Sequence, residues 1–295
     1  MKITAKTRIV GILGHPVHHS LSPIMHNAAF ESLGLDYRYF AFDVKPEMLR
    51  RAVEGLRALQ MVGVNVTVPH KEKVIRYLDQ LSSDARLMGA VNTIENREGQ
   101  LIGHNTDGMG FIRAFQDAFG QSVEGKQALL LGAGGAARAV AIQLVSQGIS
   151  EMIIANRTYA HARRLVKTIT ESFPGATTLA IRLQGESLAK ICLRADILIN
   201  ATSTGLTVDS SLNISPSVFR PSMRVCDLTY NPPHTPFLKM AAGAGCKTMN
   251  GVGMLLHQGA LAFRIWLGQE APLSVMRTAL EQALFNSSQS PETHI

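Results

Sequence analysis

Residues 127–147 constrain the fold of this chain more than any other stretch. Gln127-Ala128-Leu129-Leu130-Leu131 is a short apolar run of the kind buried on both faces of a parallel sheet. It breaks at Gly132 into a glycine-rich turn, and Ala136 to Gln147 then carries apolar residues at helical spacing. The pattern Gly132-x-Gly134-x-x-Ala137 fits the dinucleotide fingerprint in its alanine-ending form. Gly132 permits the tight turn, Gly134 lets a pyrophosphate approach the backbone, and Ala137 lets helix and strand pack closely. The free N–H groups of the helix start would face the phosphates. A glycine turn alone can be purely structural. Here a second apolar strand, Glu151 to Asn156, follows at βαβ distance, which predicts a Rossmann-like, doubly wound nucleotide domain.

The end of that second strand bears on the cofactor. Sites for NAD usually place an Asp or Glu about 20 residues past the turn, against the ribose hydroxyls. This chain reads Ala155-Asn156-Arg157-Thr158, with no acid. Arg157 can fork onto a 2′-phosphate, and Asn156 and Thr158 can hydrogen-bond it, so NADP is expected. A merely solvated arginine at a strand end is the plainer alternative.

At 295 residues the chain is long enough for two domains, and 46% hydrophobic with 17% charged residues is ordinary for a soluble globular protein. The formal charge of +7 suits anionic ligands. Lys and Arg are scattered without interleaved aromatics, so no nucleic-acid partner is expected. Cys192, Cys226 and Cys246 lack paired spacing and lie among apolar residues, as reduced core thiols of a cytoplasmic protein would. No signal-like leader or membrane span is expected, and no histidine spacing suggests a metal.

Taken in order, Arg8 to Leu13 predicts a strand. Ser22 before Pro23 predicts a helix with a hydroxyl N-cap, continuing to about Leu33. Tyr37 to Val44 predicts a strand and Pro46 to Leu59 an amphipathic helix. In Gly63-Val64-Asn65-Val66-Thr67-Val68-Pro69-His70-Lys71 the polar Asn65 and Thr67 share one face of a strand that Pro69 ends. The C-terminal ends of such strands bind ligands in open α/β sheets, though an exposed edge strand would show the same pattern. Asp79 to Met88 predicts a helix, and residues 90–103 a hairpin turning at Asn96-Arg97-Glu98-Gly99. Asn105-Thr106-Asp107-Gly108 opens a helix and a hinge into the nucleotide domain. The expected division is a substrate-binding α/β domain over 1–107, completed by helices in 252–286, with the nucleotide domain over 108–251 and a disordered tail over 287–295.

Seven short motifs in order resemble the shikimate dehydrogenase family: Ser20-Leu21-Ser22-Pro23, Asn65 to Lys71, Gly89-Ala90-Val91-Asn92-Thr93, Asn105-Thr106-Asp107-Gly108, Gly132 to Ala137, Asn156-Arg157-Thr158 and Gly251-x-x-Met254-Leu255-x-x-Gln258. The resemblance implies NADPH-dependent, reversible reduction of 3-dehydroshikimate to shikimate in aromatic amino-acid biosynthesis. It implies that Ser20 and Ser22 hold the substrate carboxylate, aided by Tyr230. Thr67, Asn92, Asp107 and Gln258 would take the ring hydroxyls, with Asn65 nearby, and Lys71 would be the acid/base. Gly132, Ala133, Gly134, Gly135 and Ala136, with Asn156, Arg157 and Thr158, would hold the cofactor, and Leu228 and Gly251 would lie near the nicotinamide. Hydroxyl and amide side chains suit a polyol acid, and a Lys ammonium beside a carboxylate suits proton transfer coupled to hydride transfer.

Two positions depart from the family pattern. Its Asn-Arg-Thr-x-x-Lys stretch ends here in His161, and Ser83, with Asp84 adjacent, stands where some members carry an acid near the cofactor. The rival readings are an NAD-using quinate/shikimate dehydrogenase and a catalytically inactive NADP-binding regulator. A monomer and a homodimer both suit the sequence.

Overall fold

The computed structural model describes residues 3–184, 186–202 and 214–289. The chain divides into two compact units, one of residues 1–106 and 256–295, the other of residues 107–255. Both are α/β, and each is built on its own six-stranded sheet.

In the first unit the chain runs β1 (Arg8–Gly14), α1 (Ser22–Ser32), β2 (Tyr37–Asp43), α2 (Leu49–Ala58), β3 (Gly63–Val66), β4 (Gln80–Leu81), α3 (Ser83–Met88), β5 (Thr93–Arg97) and β6 (Gln100–His104). The sheet order is β2-β1-β3-β5-β6-β4. β1 pairs parallel with β2 and β3, whereas β3–β5 and β5–β6 are antiparallel, so the sheet is mixed. β3 is therefore an interior strand, buried at all four positions, and the edge-strand alternative falls away. The hairpin forms as expected, turning through Glu98 and Gly99 at φ of 51° and 92°. One side of the sheet closes over Leu49, Val53 and Leu56 of α2 with Val64, Val66, Ile94 and Leu101.

Several local expectations change. Asp79 to Met88 is not one helix: Gln80–Leu81 pairs with β6, and Ser82 then accepts a hydrogen bond from the Ala85 N–H at 3.2 Å, capping α3. Pairing to an existing strand outcompetes local helix preference there. Pro46–Met48 forms a 3₁₀ turn ahead of α2. Leu21, already right-handed, occupies the N-cap of α1, so Ser22 is the first helical residue and leaves its hydroxyl for other partners.

The second unit runs α4 (Asp107–Phe119), β7 (Gln127–Leu131), α5 (Gly135–Ser146), β8 (Glu151–Asn156), α6 (Tyr159–Ser172), β9 (Thr178–Arg182), α7 (Glu186–Cys192), β10 (Ile197–Asn200), β11 (Arg224–Asp227), α8 (Pro236–Gly243) and β12 (Lys247–Met249). Every strand pair is parallel, and the order is β12-β11-β10-β7-β8-β9. This is the doubly wound arrangement, with its switch of direction between β7 and β10. Strands buried on both faces explain the unbroken apolar run at 128–131, every residue of which is 0% exposed. α9 (Val252–Leu267) and α10 (Leu273–Gln289) follow. The chain from Leu256 onward belongs to the first unit, where Trp266 donates its indole N–H to the Ile94 carbonyl at 2.9 Å. α10 continues to Gln289, past the expected end at 286; residues 290–295 of the expected tail lie outside the described residues.

Candidate active site

In the first unit a chain of buried hydroxyl and amide groups joins Asn65, Asn92 and Gln258 of the substrate candidates. The Ser22 hydroxyl lies beside the Tyr39 phenol. Tyr39 Oη donates to Asn65 Oδ1 at 2.8 Å. Asn65 Nδ2 donates to the Asn92 carbonyl at 3.1 Å and to Thr93 Oγ1 at 3.0 Å. Asn92 Nδ2 reaches Thr106 Oγ1 at 2.9 Å and Gln258 Oε1 at 3.4 Å, while its Oδ1 accepts from the Thr106 N–H at 2.8 Å. Ser22, Asn65, Asn92 and Gln258 are all buried. Each polar atom in such a chain fixes its neighbour, so the side chains are held in place before any ligand arrives.

This geometry separates roles that the sequence grouped together. Both functional ends of the Asn65 amide are taken up within the protein, which makes Asn65 a support beneath the site. Ser20 and Thr67 are half-buried; Ser20 Oγ accepts from the Ser22 N–H at 3.3 Å. Thr67 lies against Gly14, where an added Cβ would come within 2.4 Å of its methyl group. Tyr39 anchors the Asn65 amide, a role that sequence reasoning missed. Its burial raises the phenol well above the usual range, so it stays a neutral donor. One aromatic among the four of β2, Tyr37, Tyr39, Phe40 and Phe42, gives no signal for such a role. Thr93 and Thr106 were visible only as parts of quoted motifs.

Lys71 follows a short loop held from three directions. Thr67 N–H donates to the Leu13 carbonyl, His15 N–H to the Val68 carbonyl, and Val91 N–H to the Lys71 carbonyl, at 2.9, 3.0 and 2.8 Å. His70, completely buried, places Nε2 at 2.6 Å from the Val44 carbonyl. Burial lowers its pKa, which keeps it neutral with Nε2 as the donor. Lys71 itself is half-buried. Asp107 is the residue after Thr106 and the first of α4, 4% exposed, where a carboxylate suits the positive end of the helix.

The second unit carries the cofactor candidates, and here the backbone does most of the work. Gly132 has φ +111°, and a Cβ would lie 2.8 Å from the Ala201 carbonyl oxygen, so only glycine fits. Gly134 sits at the N-cap of α5 without a side-chain cap, facing open space where an added Cβ meets nothing within 4 Å. Ala133, Gly135 and Ala136 complete the turn, and Ala137 is fully buried. Asn156 Nδ2 donates to the Thr158 carbonyl at 2.9 Å, bending the chain so that exposed Arg157 leaves the sheet at the C-terminal end of β8. The open helix start, the lack of an acid and the exposed guanidinium together fit a dinucleotide with a 2′-phosphate.

A second loop of this unit holds Leu228, Tyr230 and Gly251. The buried Asp227 carboxylate accepts from the Thr229 N–H at 3.0 Å and the Thr235 hydroxyl at 2.7 Å. Gly251 N–H donates to the Thr229 carbonyl at 2.9 Å, and a Cβ on Gly251 would stand 2.1 Å from the Leu228 carbonyl oxygen. Tyr230 is half-buried, which raises its pKa.

A glycine-turn Rossmann-like unit joined to a mixed α/β unit with a preorganised polyol-type polar chain defines a two-domain dinucleotide-dependent oxidoreductase. Family models match three stretches: the shikimate dehydrogenase substrate binding domain over residues 12–94, shikimate/quinate 5-dehydrogenase over 114–232, and the shikimate 5′-dehydrogenase C-terminal domain over 251–281. The shikimate dehydrogenase (NADP(+)) of Methanopyrus kandleri is 46% identical over 286 residues, covering 96% of this chain and 98% of that one. Among solved structures, Listeria monocytogenes shikimate 5-dehydrogenase in complex with shikimate and NAD superposes with a TM-score of 0.88 at 41% identity, over 95% of this chain and 98% of that one. Thermus thermophilus shikimate 5-dehydrogenase in complex with NADP(H) and shikimate gives 0.84 at 40%, over 94% and 100%. The chain belongs to the shikimate dehydrogenase family.

Among the described residues, no group of three or more His, Cys, Asp or Glu could hold a metal, and no helix is long and apolar enough to cross a membrane. The three thiols are buried and unpaired, and burial pushes Cys192 up to about 11.

Proposed function

We propose that this protein interconverts shikimate and 3-dehydroshikimate with NADP, serving aromatic amino-acid biosynthesis. The observation that carries the reading is the chain of buried polar side chains from Tyr39 through Asn65 and Asn92 to Gln258, with Ser22 buried beside Tyr39. A site prepared in this way suits a small ligand with a carboxylate at one end and hydroxyls around a ring.

NADP+, when bound, supplies the hydride acceptor. Ser20 and Ser22 hold the carboxylate, with Tyr230 contributing, and Thr67, Asn92 and Gln258 orient the ring hydroxyls. Lys71 takes the proton from the reacting hydroxyl as the carbon–hydrogen bond breaks, and returns it to the nascent alkoxide in the reverse direction. Asp107 is the carboxylate that works with Lys71 and takes a neighbouring substrate hydroxyl. Gly132 to Ala136 cradle the pyrophosphate, Asn156, Arg157 and Thr158 take the 2′-phosphate, and Leu228 and Gly251 shape the nicotinamide end. The absence of an acid after β8 favours the phosphorylated cofactor over NAD.

The test is initial-rate formation of reduced cofactor from shikimate and from quinate, each with NADP+ and with NAD+. Shikimate with NADP+ is expected to give the highest kcat/KM. Quinate adds a hydroxyl at the carbon bearing the carboxylate, which a close-fitting site must exclude or leave unpaired. Equal kcat/KM for the two acids would replace this reading with a quinate/shikimate dehydrogenase. NADP binding without turnover of either would make the protein a cofactor-binding regulator.

A further inference from the structure

We infer that Arg182 is a second determinant of cofactor choice, its guanidinium sharing the 2′-phosphate of NADP with Arg157. The inference rests on reading the end of β8 as the adenosine end of the cofactor site.

Arg182 is the last residue of β9, and the parallel register sets it directly beside Asn156, the last residue of β8. The ladder continues one step further, with Leu183 N–H donating to the Asn156 carbonyl at 3.3 Å. Neighbouring strands run only about 4.8 Å apart. Two guanidinium side chains therefore leave the same C-terminal edge of the sheet from adjacent strands, which is the edge where doubly wound folds bind their ligands.

The Arg182 side chain is also oriented. Its guanidinium carbon stands 5.5 Å from the centre of the Tyr159 ring. Tyr159 is the first residue of α6 and directly follows Asn156-Arg157-Thr158. Stacking on that ring turns Arg182 toward the start of α6 and the Arg157 segment. Thr158, at the N-cap of α6, makes no side-chain cap, so the open N–H groups of the first turn add positive potential.

Residues 152–161 and 176–184 contain no Asp or Glu. Neither guanidinium is hydrogen-bonded or ion-paired to any of the described residues; the ring of Tyr159 is the contact Arg182 makes. Two like charges on neighbouring strand ends repel in the empty site and become favourable once a phosphate carrying about two negative charges lies against them. A solvated surface arginine needs no aromatic platform and no such neighbour. The placement also accounts for His161 where the family pattern carries Lys: the second cation comes from the adjacent strand and not from α6.

The test measures binding, not turnover. Dissociation constants for NADPH and NADH by fluorescence, and for 2′,5′-ADP by calorimetry, are compared for wild type, Arg182→Ala, Arg182→Lys and Arg157→Ala at low and high salt. Arg182→Ala is expected to weaken NADPH and 2′,5′-ADP by roughly five- to twentyfold and to leave NADH within about twofold. Its salt dependence for NADPH should be shallower, and Arg182→Lys should recover part of the loss. If Arg157→Ala weakens 2′,5′-ADP but Arg182→Ala does not, Arg182 is a solvated residue; the inference fails and the cofactor site stands. If neither variant affects 2′,5′-ADP, the location of the site fails with it. Equal weakening of NADPH and NADH by Arg182→Ala would show a general structural effect and would likewise overturn the inference.

Discussion

In the proposed function the two units solve the same problem, holding a polar ligand beside a sheet, with different materials. The first builds its surface from side chains that fix one another: Tyr39, Asn65, Asn92, Thr106 and Gln258 form one buried hydrogen-bonded chain on a mixed sheet. The second builds its surface from backbone: a glycine turn, an uncapped helix start and the ends of parallel strands. A side-chain surface is specific and brittle, since losing one member strands its partners unpaired in low dielectric. A backbone surface tolerates changes of side chain but not the addition of a Cβ where glycine is required.

The contrast breaks most visibly at Asn65. Asn65→Leu removes the acceptor for the Tyr39 hydroxyl and the donor to Asn92 and Thr93. Unfolding free energy from urea melts is expected to fall by about 2–5 kcal/mol, at about 1–3 kcal/mol per stranded group. NADPH affinity should be unchanged. A variant as stable as wild type would mean the chain contributes no preorganisation.

His26 sharpens the comparison through pH. It is wholly buried and stacked on Tyr39 with centroids 4.5 Å apart, its ring nitrogens lack partners among the described residues, and burial lowers its pKa from 6.5 to about 3. Because the folded value is the lower one, its contribution to stability is full above about pH 6.5 and is lost as pH falls toward 3. Between pH 7.5 and pH 5 the loss from this group is about 2 kcal/mol. His26→Phe should lose about that much less than wild type over the same range; identical pH slopes would refute it.

The backbone surface is probed by Gly132→Ala. A left-handed φ of +111° and a Cβ 2.8 Å from the Ala201 carbonyl force a local shift. NADPH binding is expected to weaken about tenfold, at about 1–2 kcal/mol for the disfavoured backbone, with shikimate affinity unchanged. A wild-type dissociation constant for NADPH would show that the turn relaxes without cost. The smallest effect is expected of His161→Lys, an exposed cation added near the phosphate. NADPH should tighten roughly two- to fivefold, the scale of exposed ion pairs, with NADH constant. No change would mean that position 161 faces away from the cofactor.

Legibility in the sequence followed the same division. The β7–Gly132–α5 stretch and the acid-free end of β8 could be read directly, because backbone-built sites leave their mark in glycine positions and apolar runs. The start of α4 at Asp107 and the hairpin at Glu98-Gly99 were equally plain. The mixed sheet was not: nothing local to residues 63–66 reveals that β5 lies antiparallel beside them. The strand at Gln80–Leu81 exists only through its pairing with β6, so residues 79–88 read as helix. The parts played by Tyr39 and His70 depend on partners 26 residues away in each case, Asn65 and Val44, which no local pattern reports. Ser22 read as the N-cap of α1, but Leu21 takes that position and no side chain caps the helix.

In the proposed function the ordered side-chain surface presents substrate to Lys71, which transfers the proton. Steady-state kinetics of Lys71→Ala with shikimate and NADP+ tests it most directly, alongside Asp107→Ala and the double variant. Lys71→Ala is expected to lose about 10²–10⁴ in kcat with a few-fold change in shikimate KM. The double variant should lose far less than the product of the two single losses. A Lys71→Ala enzyme whose shikimate KM rises steeply while kcat survives would contradict the claim and leave Lys71 only an attractor of the substrate anion.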